Sequence, residues 1–270
     1  LTRTPDAHWM TEARYRGQKV IAVAPDYAEN VKFADEWVTT APGTDGALAM
    51  GIGHVVLKEF FVDQHVDFFV DYNRRFTDLP YLVTLEPGED GAYRPGKFLV
   101  AGDFENAEQS SENAMWKPAV IDERTGQVVI PQGSIGHRYG DEGLGKWNLD
   151  LGEITPALTL HKDKFHAVEV TLPRFDTPDG SLAQERRGVP VRTVDGHLVT
   201  TVLDLMLAHY GVERAGLPGS WPQGYDDPSV PATPAWASQI CGAPIEQIVR
   251  LGREWAQNAV DTGGRGMILM

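Results

Sequence analysis

The sequence predicts an α/β protein, an open α/β sheet interrupted by an irregular, β-containing insertion. Three observations predict it. Short apolar, β-branched runs alternate with helical periodicity over residues 1–85. Gly, Pro and Asp punctuate short strand-like stretches over 86–197. Helical periodicity resumes over 198–270 and ends in a stretch that reads as a return to the α/β sheet. Helix and strand in alternation are the rhythm of an open α/β sheet, whose ligand crevice lies at the carboxyl ends of its strands.

The elements follow in order. Residues 5–16, PDAHWMTEARYR, read as a helix: Pro5 suits its first turn, Thr4 offers a capping hydroxyl, and Gly17 can end it. KVIAVA (19–24) has the length and composition of a buried parallel strand, with PDY as the turn that follows it. AENVKFADEWV then reads as a short helix leading to a second strand near Trp37 and Val38. The turn APGTD precedes a helix over about 46–61, with Leu48, Ile52, Val55 and Val56 at helical spacing. QHVDFFVDYNRRFTDLP (64–80) reads as a helix with Phe68, Phe69 and Tyr72 in the core, and YLVTLE as a strand. In the insertion, IDERTGQVVIP reads as a hairpin around Thr125 and Gly126, and KFLVAG and HAVEVTLPRF as short strands. HLVTTVLDLMLAHYGV (197–212) reads as helix, 233–259 as two short helices parted by Gly242 and Pro244, and RGMILM as an opening strand.

Composition narrows the function classes. Thirty-eight acidic against 24 basic residues give a net charge of −14, which repels phosphate backbones and disfavours nucleic-acid binding. The single cysteine, Cys241, excludes an intrachain disulfide and any zinc or iron–sulfur site built from this chain's cysteines alone. No run of about 18 apolar residues reads as a membrane span. The chain opens at Leu1 and stops within GRGMILM, which leads to the expectation of a piece cut from a longer polypeptide.

The candidate chemistry lies in loops. Asp45, with Thr44 beside it, has a plain reading as a helix N-terminal acid, stabilised by roughly 0.3–1 kcal/mol. Its second reading is a pair of acceptors for a guanine edge, whose N1–H and N2–H₂ can both donate to one carboxylate. Asp26 ends the first strand, where acids can grip ribose hydroxyls, but no Gly-x-Gly-x-x-Gly loop precedes it and a turn role is the plainer reading. His161 and His166 are five apart and share no metal-ligand spacing. Cys241 follows Ile240 and reads as a small core residue. RRF (74–76) and ERRG (185–188) read as basic spots on solvated faces. No catalytic residue and no metal ligand is predicted in this chain.

Two long stretches carry a resemblance: TRTPDAHWMTEARYRGQKVIAVAPDYAENVKFADEWV, then APGTDGALAMGIGHV. Later ones extend it in order: PQGSIGHRYG, GKWNLDLG, LVTTVLDLMLAHYGVER and YDDPSVPATPAWASQICGAPIEQIVRLGREWA. Together they resemble the molybdenum-containing alpha (catalytic) subunit of respiratory nitrate reductase, in the dimethyl-sulfoxide-reductase superfamily of molybdopterin oxidoreductases. The resemblance implies Rossmann-like layers around a molybdenum bis(molybdopterin guanine dinucleotide) cofactor, at which nitrate is reduced to nitrite with electrons from quinol. It implies an iron–sulfur beta subunit and a membrane haem gamma subunit as partners. It also implies a peripheral position at the cytoplasmic face of the cell membrane, reached through the gamma subunit alone. The family's own 4Fe-4S ligands and its molybdenum-ligating aspartate would precede Leu1.

Carried over by motif, Thr2 falls on the first cofactor loop, Pro25 and Asp26 on the second, and Gly43, Thr44 and Asp45 on the third, where the family's Asp bonds guanine. Residues 1–85 thus become the expected cofactor-binding part. The wider superfamily often has Asp-Pro-Arg where this chain has Ala24-Pro25-Asp26, so a ribose contact does not carry over to Asp26. Two alternatives stand beside this reading: a non-catalytic acidic nucleotide-binding or interaction module, and a reductase of a related oxyanion such as chlorate or selenate.

Overall fold

The computed structural model describes residues 4–27, 31–105, 111–133, 150–174, 176 and 184–268. Helix α1 spans Thr4–Tyr15. It closes as its glycine predicts: Gly17, at φ +91°, donates to the Arg14 carbonyl at 2.9 Å and Gln18 to that of Ala13 at 3.0 Å. Strand β1 (Ile21–Val23), a 3₁₀ turn (Val31–Phe33), strand β2 (Glu36–Val38) and helix α2 (Asp45–Val56) follow. The helix expected to run on to residue 61 changes at Leu57 into a π-helical stretch, Leu57–Asp63. Then come α3 (Asp67–Phe76), β3 (Leu82–Pro87), β4 (Tyr93–Phe98), β5 (Val120–Ile121) and β6 (Val128–Val129). The remainder is β7 (His166–Pro173), β8 (Gln184–Val194), β9 (His197–Thr201), α4 (Val202–His209), α5 (Pro234–Cys241) and α6 (Ile245–Thr262). The chain is a mixed α/β protein.

Two compact units divide it: Leu1–Val56 with Pro222–Met270, and Leu57–Trp221. They cut across the expected segments at 85 and 197. β3 belongs with the second unit because it pairs with both β4 and β9.

In the first unit, β1 and β2 are parallel, with Ile21 opposite Glu36, Ala22 opposite Trp37 and Val23 opposite Val38. A three-residue pair contributes few hydrogen bonds, so burial stabilises it. Val38 packs with Leu48, Trp236, Cys241, Ile248 and Leu251 in one apolar cluster. Helix α2 buries Ala47, Leu48, Gly51, His54 and Val55, a stripe at helical spacing. Small residues set its approach to α5 and α6. A Cβ at Gly51 would lie 2.7 Å from the Ala237 Cβ and 3.1 Å from the Ile248 Cγ2, and one at Gly252 would lie 2.9 Å from the Val55 Cβ.

Polar ties finish the unit at the amino ends of its strands. Arg250 donates to both Glu36 carboxylate oxygens, one of them at 2.9 Å, and to Glu254 at 3.1 Å. Gln247 donates to Glu36 at 2.8 Å, and Lys19 pairs with Glu254 at 2.5 Å and Glu36 at 3.2 Å. Arg14 and the Val20 amide hold Asp35 at 2.5 Å and 2.8 Å. The Arg250 hydrogen bonds hold the Glu36 carboxyl down at about 2, against its ordinary 4.5.

The second unit is a closed barrel in the order β3-β4-β7-β8-β9. All its pairings are antiparallel except β4 with β7, which meet in parallel at Tyr93 and Val170. Leu85, Val170, Leu172, Val189, Val191 and Ala208 form one of its cores. The hairpin expected around Thr125 and Gly126 is present: β5 and β6 pair antiparallel and Gly126 sits at φ +69°.

Four expectations are corrected. Residues 197–201 form a strand before the helix, because β-branched Val199, Thr200 and Thr201 pair with β3. Thr201 then caps α4 by accepting the Asp204 amide hydrogen bond at 3.1 Å. In α3 the buried residues are Val70 and Asn73. Tyr72 is 48% exposed and stacks with Phe68 and Phe76 along an outer i, i+4 stripe.

Arg187, read as a solvated basic residue, is 1% exposed. Its guanidinium donates to the carbonyls of Ala208 (2.6 Å) and Ser220 (3.2 Å) and to Glu185, which makes burial of the charge tolerable. Lastly, residues 265–268 form no strand, and Leu269 and Met270 lie outside the described residues, so the expected return to the sheet is not seen among those described.

Two outcomes follow from the first unit. Gly51→Ala lowers stability by about 1–3 kcal/mol, the usual cost of overpacking. Gly46→Ala, whose Cβ meets nothing within 4 Å, raises it by up to about 1 kcal/mol through helix propensity. Urea titration of both variants checks the pair, and equal midpoints overturn it. A depressed carboxylate pKa adds stability that is complete above 4.5 and is lost as the pH falls toward about 2. Glu36→Gln therefore costs about 1 kcal/mol at neutral pH, since its partner Arg250 is partly solvated. It also flattens the stability profile across that window, and an unchanged acid slope would count against the account.

Candidate functional site

The parallel pairing of β1 and β2 puts the loops that follow them at the same end of the sheet. The first loop leaves β1 through Ala24, whose amide donates to the Val38 carbonyl at 3.1 Å. Pro25, Asp26 and Tyr27 follow, all exposed. The Trp37 indole N–H donates to the Ala24 carbonyl at 2.9 Å. The Tyr27 ring meets that of Trp37 edge to face, with centroids 5.6 Å apart.

The second loop leaves β2 through Thr39 and the buried Thr40. The Ala41 amide donates to the Cys241 carbonyl at 2.8 Å, which ties this loop to the last residue of α5. Gly43 then turns the chain at φ +78°, a conformation that costs an L-residue, with nothing within 4 Å of where a Cβ would stand. Thr44 does not cap with its hydroxyl as expected. That group donates to the Ala41 carbonyl at 2.6 Å and closes the turn, while the Thr44 carbonyl accepts the Ala47 amide at 3.0 Å. Asp45 is the exposed first residue of α2, where the helix dipole favours its charge.

The two ends of this small sheet differ electrostatically. At the amino ends, Asp35, Glu36 and Glu254 are each held by cations. At the carboxyl ends, Asp26 and Asp45 are exposed and have no hydrogen-bond or ion-pair partner among the described residues. Among the described acids at these two strand ends, those at the amino ends are paired and those at the loop end are not.

Other candidates resolve plainly. No group of three or more His, Cys, Asp and Glu is placed to hold a metal among the described residues. The ring nitrogen Nε2 of His161 lies 2.9 Å from the Ala215 carbonyl, and Cys241 is a buried core residue. An open, polar depression of about 650 Å³ belongs to the barrel unit, lined by Glu169, Arg174, Gln184, Glu185 and Arg186 among others, and none of the expected site residues lines it. There burial pushes the Glu185 carboxyl up despite the guanidinium of Arg187.

The model of the molybdopterin oxidoreductase family matches residues 2–208. The chain belongs to that family. Membership implies a molybdopterin cofactor. The chain is 58% identical over 275 aligned positions to the nitrate reductase alpha subunit of Mycobacterium tuberculosis, covering all of this chain and 22% of that one. It is 44% identical over 287 positions to the respiratory nitrate reductase 1 alpha chain of Escherichia coli, again across all of this chain and 23% of the relative. It is 33% identical over 267 positions to the perchlorate reductase subunit alpha of Dechloromonas aromatica, across 94% of this chain and 22% of the relative. The chain therefore spans about a fifth of the length of these curated relatives.

Of the residues expected to face the family's cofactor, Pro25 and Asp26 lie in the first loop and Gly43, Thr44 and Asp45 in the second. Thr2 lies outside the described residues. Sequence reasoning passed over Tyr27 and Trp37. Their signal was an aromatic at the end of PDY and another inside a strand otherwise read as buried.

The geometry of the second loop gives one outcome. Gly43→Ala lowers stability by about 1 kcal/mol through φ strain alone, because the space beside it is open. Thermal unfolding of the variant checks this, and an unchanged midpoint would show that the turn adopts another conformation.

Proposed function

We propose that this chain is part of the catalytic alpha subunit of a molybdenum nitrate reductase, in which its two loops hold the guanine dinucleotide tail of the cofactor. The observation that supports this most is similarity to nitrate reductase alpha subunits along the whole chain, combined with a carboxylate, Asp45, that has no partner among the described residues and follows the loop at the carboxyl end of β2. We further read the β1–β2 pair with its covering helices as part of a Rossmann-like layer.

The residues present fit the group by the chemistry of their donor set. A guanine edge offers N1–H and N2–H₂, two donors side by side, and Asp45 offers two acceptors with no competing partner among the described residues. Gly43 leaves the backbone open to close approach. Thr44, whose hydroxyl is committed to Ala41, holds the turn that presents Asp45. Pro25 and Asp26 line the neighbouring loop, and Thr2 is assigned to the first loop by resemblance alone. The oxygen-atom transfer that converts nitrate to nitrite is the chemistry the group supplies when bound. This chain's own residues bind and orient the tail, and none of them is assigned a catalytic step.

In this reading the parent protein also carries a 4Fe-4S cluster whose ligands fall outside residues 1–270. Electrons from quinol arrive through an iron–sulfur beta subunit and a membrane haem gamma subunit. The parent is placed on the membrane, at its cytoplasmic face, by the gamma subunit. No described helix is long and apolar enough to cross a membrane. A second reading, reduction of a related oxyanion, is favoured by the similarity to a perchlorate reductase subunit. Comparing kcat/KM for nitrate and chlorate in the parent protein separates the two.

In the parent protein, Asp45→Asn places an amide donor against guanine donors and leaves one of them unpaired. Retention of the nucleotide weakens by about 10-fold, the usual scale for one lost buried hydrogen bond. Guanine nucleotide released per molybdenum after exhaustive dialysis measures this. Full content in the variant rejects the contact.

A further inference from the structure

The first loop carries a feature that the proposed carboxylate contact does not use. Tyr27 is 65% exposed, and Trp37, 37% exposed, stands against it with the two ring planes at 83° and centroids 5.6 Å apart. Trp37 cannot turn freely, because its indole N–H is bonded to the Ala24 carbonyl at 2.9 Å and its backbone lies in β2 opposite Ala22. In an edge-to-face pair, one ring's edge covers at most one face of the other. Whichever ring supplies the edge, at least one face of Tyr27 is left uncovered by Trp37, and the exposure of Tyr27 is consistent with that. The ring therefore stands against a tied neighbour on the strand-end side of the sheet, next in sequence to Asp26, whose carboxylate has no partner among the described residues.

We propose that Tyr27, buttressed by Trp37, is a stacking platform for the 2-amino-4-oxopyrimidine ring system that guanine and pterin share. The inference rests on the reading that this chain holds the cofactor of its family, and extends it to a residue for which neither the motif nor the comparisons give a role. The chemistry suits the place. A flat, amide-edged bicyclic ring presents a π-face to an aromatic side chain and N–H donors at its rim. The first loop offers both counterparts in successive residues, the carboxylate of Asp26 and the ring of Tyr27. An aromatic already resting against a tied neighbour loses less conformational freedom when a ring lies on it than a lone exposed side chain would.

The test uses the parent holoprotein with Tyr27→Ala, Tyr27→Phe and Asp45→Asn. Cofactor retention under dialysis decides the proposal. Tyr27→Ala is expected to release molybdenum and guanine nucleotide about 10-fold faster than wild type, on the usual scale of one base–aromatic stack, and Tyr27→Phe to stay within about twofold. Tyr27 is exposed, so the thermal midpoint of the cofactor-free protein stays unchanged in Tyr27→Phe and falls in Tyr27→Ala by no more than the loss of one exposed aromatic pair. Calorimetric titration of cofactor-free protein, with GMP in one arm and 6-hydroxymethylpterin in the other, assigns the ring: the arm that weakens in Tyr27→Ala is the stacked one. Wild-type retention in Tyr27→Ala overturns the platform, as does equal loss in Tyr27→Phe. If Asp45→Asn loses nucleotide while Tyr27→Ala keeps it, the platform fails and the cofactor-holding reading stands. If neither variant changes retention, both fail.

Discussion

The candidate site depends on the parallel register of two strands of three residues each. Ile21–Val23 and Glu36–Val38 are too short to be stable on their own hydrogen bonds, yet their direction places both loops at one end. What holds them is the layer of α2, α5 and α6, brought close by Gly51 and Gly252 and filled by Val38, Leu48 and Ile248. The helices in turn meet the strands through ion pairs at the amino ends, where Arg250 and Lys19 span Glu36 and Glu254. Each such exposed pair is worth little alone, but a network around Glu36 fixes one end of β2 and leaves the other end to be shaped by the turn at Gly43.

Much of this frame was legible in the residues because local rules and the fold agree there. Gly17, Gly126 and Gly242 sit at the left-handed positions their contexts called for, and Thr233-Pro234 opens α5 with its capping hydroxyl. The first strand and the helix after APGTD follow from an apolar run and a stripe at helical spacing. The misreadings fall where tertiary pairing overrides a local pattern. HLVTT resembles the start of an apolar helix until β3 is available to pair with it, and ERRG resembles a surface patch until the end of α4 and the loop at Ser220 supply carbonyls for Arg187. A closed barrel made of segments far apart in sequence leaves little trace in any one window.

The candidate site was legible in a different sense. Periodicity located the two loops, and that much follows from strand and helix lengths. A guanine partner for Asp45 came from resemblance, since a lone acid at a helix start is equally well explained by the dipole. The structure adds that Asp45 and Asp26 have no partner among the described residues, and that Thr44 spends its hydroxyl on the turn. Trp37 was passed over because an aromatic in a strand is usually core, and Tyr27 because a turn residue is usually left to solvent; only the tertiary structure sets the two rings against each other at the rim.

The net charge of −14 bears on how such a site can recognise an anionic dinucleotide. A phosphate group approaching an acidic surface is repelled before any contact forms, and salt only partly screens this. Recognition is better placed on parts of the ligand that carry donors and flat apolar surface, which are its ring systems. Free carboxylates are an asset toward those rings and a cost toward phosphate, so their position at the loop end favours reading a base edge over gripping the backbone. Under the proposed reading, the phosphates would meet backbone N–H groups, such as those of Asp45 and Gly46 at the start of α2, where the dipole offsets part of the repulsion. If the two loops hold the cofactor as proposed, their acids would select it by its rings, and whatever affinity resides in its phosphates would come from the backbone.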